Sequence, residues 1–459
     1  MAGRIIALGV LACKVAHLAA ERITFEGQPA PQGMSLDGWY IFDVYSKGDF
    51  AELAGVDSSK MEKPVAEISL AAKTSGDTKA KPMAVTLMDY AGFLDTFDQV
   101  HFCEDGVFKP HGDKLDFVTA EIPYGETTKI TTKPLSKTGK YVLLLSNCNE
   151  GTEATLSGYV QVKNPYGYLP SALYHRGTPL YVFLFVYIVL TLGWVAYGMT
   201  HMKQFYDLHG YFTGMLAWCI AAIAVNIYAM GVWNSTGVDD PYMSMATVMY
   251  VLKWVYIYAI AVFVAGGYYD NDDEATTSHD LHLNKKVWIV GIISASIYIV
   301  ALSLRECAMT QPAGLNLSLK VKLALQFPVT VLDAILVIYV LVKTKSQYEL
   351  AEAKLNITKS GIFSKLHKLA IVCAILGCLG MVLKLADYLG MYELSWHTKW
   401  LPEGGAAHIT TLIGLGGAAF IMRPGMVEKK NIYGKVGAEQ LEGGEASKLG
   451  RPDDEDDDM

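Results

Sequence analysis

The chain has 459 residues, and 52% of them are hydrophobic, a larger share than a soluble domain of this size normally has. The apolar residues are concentrated between 179 and 423, whereas 21–165 has the polar composition of an ordinary folded domain. The net charge is −8, and the acidic run at 453–458 contributes much of it. This balance favours a membrane protein, and no nucleic-acid partner is expected.

The first 20 residues have the features of a secretory signal peptide. Arg4 precedes an apolar run at 5–12, and small residues lie around Ala20, where we expect cleavage. A retained anchor is the alternative, but the apolar run is much shorter than the ~20 residues that a spanning helix needs. A lipid-modified Cys13 is a third interpretation. A signal peptide places the following domain outside the cytosol.

Residues 21–163 contain short apolar or alternating segments separated by Gly, Pro and Asp, a pattern typical of β-strands. Strands are predicted at 38–45, 65–71, 82–88, 114–122, 129–132, 141–146 and 158–163. Without a helical stretch between them, they predict an all-β sandwich. No catalytic Ser/His/Asp set, metal-ligand cluster or phosphate-binding loop stands out in this sequence. We therefore interpret this part as a binding module without a cofactor, and not as an enzyme.

Cys103 and Cys148 are the only cysteines between 21 and 163. Because the compartment that a signal peptide implies is oxidising, we predict a Cys103–Cys148 disulfide. Two buried free thiols are the alternative.

Seven later segments are apolar nearly all round and long enough to cross a bilayer, so lipid or protein must surround them. The predicted spans are 179–200, 210–232, 243–266, 286–304, 318–342, 367–388 and 405–422. Lysines are concentrated after the first, third and fifth spans, as at Lys203, Lys285 and Lys343. By the positive-inside rule these connections are cytosolic. The bundle then lies in the lipid bilayer with the N-terminal domain in the lumen.

Ionisable residues near the centre of a membrane span are costly and are therefore candidates for function. Lys253 in the third span and Asp333 in the fifth lie at about the same depth. We predict a buried structural pair, with a ligand or ion pathway as the alternative. His209, at the start of the second span, is interpreted as an interfacial residue, with a proton relay as the alternative. Asn234 begins an Asn-Ser-Thr glycosylation sequence, a weak signal so close to the bilayer.

A motif at the junction of the two halves resembles one of a known family. The segment 139–148 ends in Asn-Cys, and the linker after it contains Asn164, Pro165, Gly167, Tyr168, Leu169 and Pro170. Both features resemble the GOST family, the lung seven-transmembrane receptor-like proteins. The closing Arg423-Pro424 also resembles that family, although Met422 stands where an aromatic residue is expected. The resemblance implies a GOLD-type luminal sandwich before seven helices, Golgi localisation and a role in membrane trafficking.

The linker at 164–178 has a physical use that does not depend on the resemblance. Pro165 and Pro170 restrict their predecessors to extended backbone, and Gly167 permits a sharp bend. A stiff joint would fix the sandwich over the bundle, so that a luminal cargo or lipid ligand could bias the helix positions. Membrane trafficking is the favoured function. A G-protein-coupled-receptor-like protein of the plasma membrane, or a cation channel or transporter, is the alternative.

The tail at 424–459, predicted to be cytosolic, contains two patterns that resemble sorting signals. Tyr433 and Val436 are the ends of a Tyr-x-x-bulky tetrapeptide, and the acidic run at 453–458 follows. Cytosolic sorting adaptors bind the first pattern, and acidic clusters are often found in tails retrieved to the Golgi. A plain solvated tail is the alternative.

Overall fold

A computed structural model gives the fold of the chain as a β-rich part followed by a helical bundle. The residues it describes are 22–29, 40–54, 57–74, 82–90, 93, 103–104, 107–108, 117–148, 153–169, 171–202, 207–238, 241–266, 285–310, 319–388, 398 and 400–423. The predicted signal peptide and the tail after residue 423 lie outside these ranges.

The described residues before the linker form ten strands. They are β1 Arg22–Pro29, β2 Tyr40–Val44, β3 Val65–Thr74, β4 Met83–Asp89, β5 Cys103–Glu104, β6 Val107–Phe108, β7 Phe117–Ile122, β8 Thr127–Thr131, β9 Gly139–Ser146 and β10 Ala154–Lys163. Eight of them form two four-stranded antiparallel sheets, in the orders β1-β10-β3-β8 and β2-β9-β4-β7. Inward side chains from both sheets, such as Phe25, Leu70, Val85 and Leu143, share one buried core. This is the arrangement of a β-sandwich.

The expectation that this domain contains no helix was wrong. Helix α1, Lys47–Ala54, follows β2 and buries Phe50 and Ala51. Ser46 caps it, because its Oγ accepts a hydrogen bond from the backbone N–H of Asp49 at 3.1 Å. A helix of two turns is too short to give a periodic signal in the sequence. All seven predicted strands overlap an observed one, and β1, β5 and β6 were not predicted.

In the part of the chain that the structure describes, seven longer helices follow: α2 Ser171–Thr200, α3 Asp207–Thr236, α4 Pro241–Gly266, α5 Lys285–Thr310, α6 Leu319–Ala353, α7 Ile357–Tyr388 and α8 Ala406–Ile421. Within the described ranges, five of them (α2, α3, α4, α6 and α7) are long and apolar enough to cross a membrane by themselves. Helix α8 has only 16 residues, but a π-helical turn at Leu401–Gly405 precedes it directly. Helix α8 alone is about 24 Å long, and a kink at Gly404 separates it from the residues before that turn.

Several helices extend beyond the predicted spans. Helix α2 begins at Ser171, so that Pro179, predicted to open the helix, lies inside it. Helix α6 continues to Ala353, and α7 begins at Ile357. An apolar run marks only the part of a helix that lies in lipid, and a helix can continue past that part into water. Membrane helices also accept an internal proline, because neighbouring groups satisfy the backbone that it frees.

Candidate functional site

The linker motif folds into a turn between β10 and α2. Asn164 and Gly167 exchange backbone hydrogen bonds, with N–O distances of 2.7 and 3.1 Å. Gly167 has a φ of +133°, a backbone region that favours glycine. Asn164 is buried, and its Oδ1 accepts a hydrogen bond of 2.9 Å from the backbone N–H of Tyr45. The motif therefore ties the end of β2 to the end of β10.

Asn234, in the last turn of α3, holds this turn against the bundle. Its Nδ2 donates to the carbonyl oxygen of Tyr166 at 2.8 Å, and its Oδ1 accepts from the N–H of Leu169 at 3.0 Å. Its own carbonyl oxygen accepts from the N–H of Tyr168 at 3.0 Å. A Cβ at Gly167 would lie 2.5 Å from both of these Asn234 oxygens. Glycine is therefore what allows the linker to approach α3 so closely.

Five rings from the sandwich, the linker and α2 pack together, and we call them the aromatic joint: Tyr45, Phe50, Tyr166, Tyr174 and His175. Tyr166 and Tyr174 stack with centroids 4.0 Å apart, and Phe50 lies 4.8 Å from the ring of Tyr166. The hydroxyl of Tyr45 and Nε2 of His175 share a hydrogen bond. Packed aromatic pairs contribute about 0.5–1.5 kcal/mol each beyond their buried area. The joint thus stabilises one placement of the sandwich on α2.

Tyr168 adds a polar contact next to the joint. Its hydroxyl donates to Oε1 of Glu67 at 3.2 Å, and Nε2 of Gln161 donates to the other oxygen of the same carboxylate. Burial raises the pKa of Tyr168, and the negative charge of Glu67 raises it further. The phenol therefore stays protonated at neutral pH and keeps donating to Glu67.

A cavity of about 80 Å³ lies beside the joint, between α2, α3, α4, α5 and the π-helical turn before α8. Its wall is mainly apolar, with residues such as Leu180 and Phe183, but it also includes Arg176, Glu306 and His408. The space is large enough for several water molecules or a small polar group, since one water needs about 10–15 Å³ of such space.

Glu306 and His408 are two of the polar side chains that line the cavity. Glu306 forms an ion pair with its neighbour Arg305. His408 is 8% exposed and stacks on Phe183 with centroids 5.0 Å apart. Its Nδ1 has no hydrogen-bond partner among the described residues. A buried imidazole nitrogen without a partner is costly, and a bound polar group would satisfy it.

The structure does not bring Lys253 and Asp333 together. Lys253 is 1% exposed, with its Nζ 4.6 Å from the ring centroid of Tyr250 and 5.1 Å from that of Trp254. Asp333 accepts a hydrogen bond from the hydroxyl of Tyr258, a residue on α4. The aromatic surroundings of the lysine and the phenol beside the carboxylate therefore replace the ion pair that the sequence suggested.

His209 lies at the start of α3, where the sequence predicted an interfacial residue, and its side chain is buried within the protein. It is 1% exposed, and its Nε2 lies 2.8 Å from the carbonyl oxygen of Met422, to which it donates. Trp194 of α2 packs against its ring, with centroids 5.9 Å apart. This contact joins the beginning of α3 to the end of α8.

Several predicted sites lie wholly or partly outside the described residues. They are the side chain of Cys103, together with Pro170, Tyr433 and Val436. Cys148 follows β9 and is not among the free cysteines of the described ranges, which are Cys219, Cys373 and Cys378. The Cys103–Cys148 pairing stays a prediction. No group of three or more His, Cys, Asp or Glu side chains in the described ranges could hold a metal ion.

Sequence reasoning missed the role of Asn234, which stood out only as a glycosylation sequence. It also missed His408, Glu306 and Tyr258. An Asn, a Glu and a Tyr near apolar segments have no local signature, because their partners lie elsewhere in the chain. His408 is the exception, because it lies in the last predicted span and ionisable residues in lipid are candidates for function.

Comparison with known proteins places the bundle in one family. The family model described as GOST, seven transmembrane domain, matches residues 177–426, which is more than half of the chain. The match begins within α2, covers α3 to α8 completely and ends shortly after the last helix. No curated protein matches the chain.

Proposed function

Because the chain belongs to the GOST family, we propose that it is a non-enzymatic protein of Golgi and endosomal membranes that acts in membrane trafficking. The sandwich, which we take to be GOLD-like, lies in the lumen in this proposal. The tail after α8 lies in the cytosol. The sandwich binds a luminal cargo protein, lipid or partner, and the tail meets the sorting machinery.

The observation that carries the proposal is the fixed connection between sandwich and bundle. The aromatic joint and Asn234 hold the linker on α2 and α3. If a flexible linker attached the sandwich to the bundle, ligand binding to the sandwich would not affect the helices, since its position would be independent of theirs. When the sandwich is docked on the helices, its ligand can bind more tightly to the protein in one helix arrangement than in another. Ligand binding then shifts the equilibrium between the two arrangements by that difference in affinity.

A transport assay in cells that lack the protein tests this function. We expect delayed or misdirected arrival of a synchronised secretory reporter at the surface. The wild-type chain and a Gly177→Ala control should restore transport, because nothing lies within 4 Å of a Cβ at Gly177. Gly167→Ala, which disturbs the linker, should restore it poorly. Normal transport in the deleted cells would contradict the proposal.

The tail supplies the transport address in this proposal. Tyr433→Ala, or deletion of 453–459, should move the protein towards the cell surface without affecting the folded parts. Quantitative microscopy of a tagged chain measures this shift. If both variants keep the wild-type distribution, the address lies in the bundle or the sandwich instead.

A cation channel or transporter is a second candidate function, and the cavity favours it. Glu306 and the unsatisfied nitrogen of His408 line this space. Purified protein in liposomes would then pass potassium faster than empty liposomes do, and Glu306→Gln would slow the flux. Flux equal to that of empty liposomes would remove this candidate.

A further inference from the structure

We propose that α3 couples the position of the sandwich to the position of the end of α8, where the cytosolic tail begins. Asn234 is the positioning residue at one end of α3, and His209 is the positioning residue at the other. Only the direction of this coupling, from lumen to cytosol, depends on the proposed function. The coupling itself depends on contacts at the two ends of α3.

At the sandwich end, α3 makes three hydrogen bonds to the linker through a single residue. Asn234 uses its amide nitrogen, its amide oxygen and its backbone carbonyl for Tyr166, Leu169 and Tyr168. Any rotation or axial shift of α3 would break these bonds or carry the linker with it. Because the linker directly follows β10, the sandwich moves with it.

At the opposite end, His209 donates from Nε2 to the carbonyl oxygen of Met422, 213 residues further along the chain. Met422 caps α8, and its own N–H donates to the carbonyl oxygen of Ala418. It is fully buried. The contact therefore lies on the last turn of α8, only two residues before the tail begins at 424.

The helix between the two contacts is suited to transmit movement. The 26 residues from His209 to Asn234 span about 38 Å of α-helix and contain no proline. By contrast, α2 and α6 each contain a proline within the helix, where kinks commonly arise. Along α3 buried side chains recur every three or four residues from Leu208 to Ile223, at Leu208, Phe212, Met215, Cys219 and Ile223. The partly buried Ile227 and the buried Met230 and Trp233 continue this packed face to the end of the helix. A packed helix without a kink moves as one body.

Hydrogen exchange of the full-length protein in lipid nanodiscs tests the coupling from both ends. Asn234→Ala should speed exchange in the linker at 164–169 by about fivefold or more, the equivalent of one or two lost hydrogen bonds. It should also speed exchange at 418–423 by at least about twofold. His209→Ala should change both regions as well, because energetic coupling between two sites is reciprocal.

Two further variants serve as controls. Ser235→Ala changes the exposed neighbour of Asn234, whose Oγ bonds only within its own helix, and should leave 418–423 unchanged. His209→Gln keeps a donor for Met422 and should stay near wild type. If Asn234→Ala does not fold, Asn234→Asp replaces it, since it keeps the acceptor and loses the donor. Effects confined to the mutated end, or a distant effect of Ser235→Ala, would overturn the proposal. Because this assay uses purified protein, its result is independent of whether the transport assay succeeds.

Discussion

Replacing Gly167 by alanine tests the reasoning about the linker most sharply. The residue has a φ of +133°, and an added Cβ would lie 2.5 Å from the carbonyl oxygen and from Oδ1 of Asn234. A left-handed backbone costs an alanine about 1–2 kcal/mol. Overpacking against rigid groups adds about 1–3 kcal/mol. We therefore expect the free energy of unfolding to fall by about 2–5 kcal/mol.

Thermal unfolding of the purified full-length protein in nanodiscs measures this loss. At about 3 °C per kcal/mol, the apparent Tm of the transition that includes the sandwich should fall by about 6–15 °C. Gly177→Ala is the matched control, because its site in α2 is open and helical. Its Tm should be unchanged or slightly higher, since alanine favours helix. A Gly167→Ala protein as stable as wild type would refute the steric reasoning.

Three further predictions concern the bundle and the sandwich. Lys253→Met and Asp333→Asn should have additive effects on stability in a double-mutant cycle, because the two residues have different partners; a coupling above about 0.5 kcal/mol would show that they interact. Tyr258→Phe should cost about 1–3 kcal/mol in thermal unfolding, because it removes one hydrogen-bond donor from the carboxylate of Asp333 and the acceptor of the Tyr298 hydroxyl, and an unchanged Tm would argue against these bonds. Non-reducing peptide mapping should find Cys103 bonded to Cys148, a bridge that stabilises a loop of this length by about 4 kcal/mol; two free thiols in the mature protein would remove this prediction.

The coarse architecture could be predicted because its signals are local. Alternation over five to ten residues marks a strand, and a long apolar run marks a membrane helix, whatever lies elsewhere in the chain. Seven strands of the N-terminal domain and the seven helical segments were predicted in this way, and the family was predicted from its resemblance at the linker. Prediction was weakest at helix ends, as at Ser171 and Ile357. There the helix continues past the lipid-facing residues that mark it in the sequence.

The contacts at the joint could not be predicted, because they depend on residues far apart in the chain. Asn234 meets the linker across about 65 positions, and His209 meets Met422 across 213. Neither spacing carries a pattern, and each side chain has a plausible local interpretation. Equal depth suggested that Lys253 and Asp333 are partners, but depth does not fix the rotation of a helix. The face on which each residue lies decides its neighbours.

Microscopy of a chain with one tag after residue 21 and another at the C-terminus tests the proposed function most directly. Cells are stained without permeabilisation, after selective permeabilisation of the plasma membrane, and after complete permeabilisation. We expect the C-terminal tag to be reached after the selective step, in a pattern that coincides with a Golgi marker. The N-terminal tag should be reached only after complete permeabilisation. Two results would contradict a Golgi protein with a luminal sandwich. In one, the N-terminal tag stains mainly on intact cells; in the other, it stains after the selective step, from the cytosolic side.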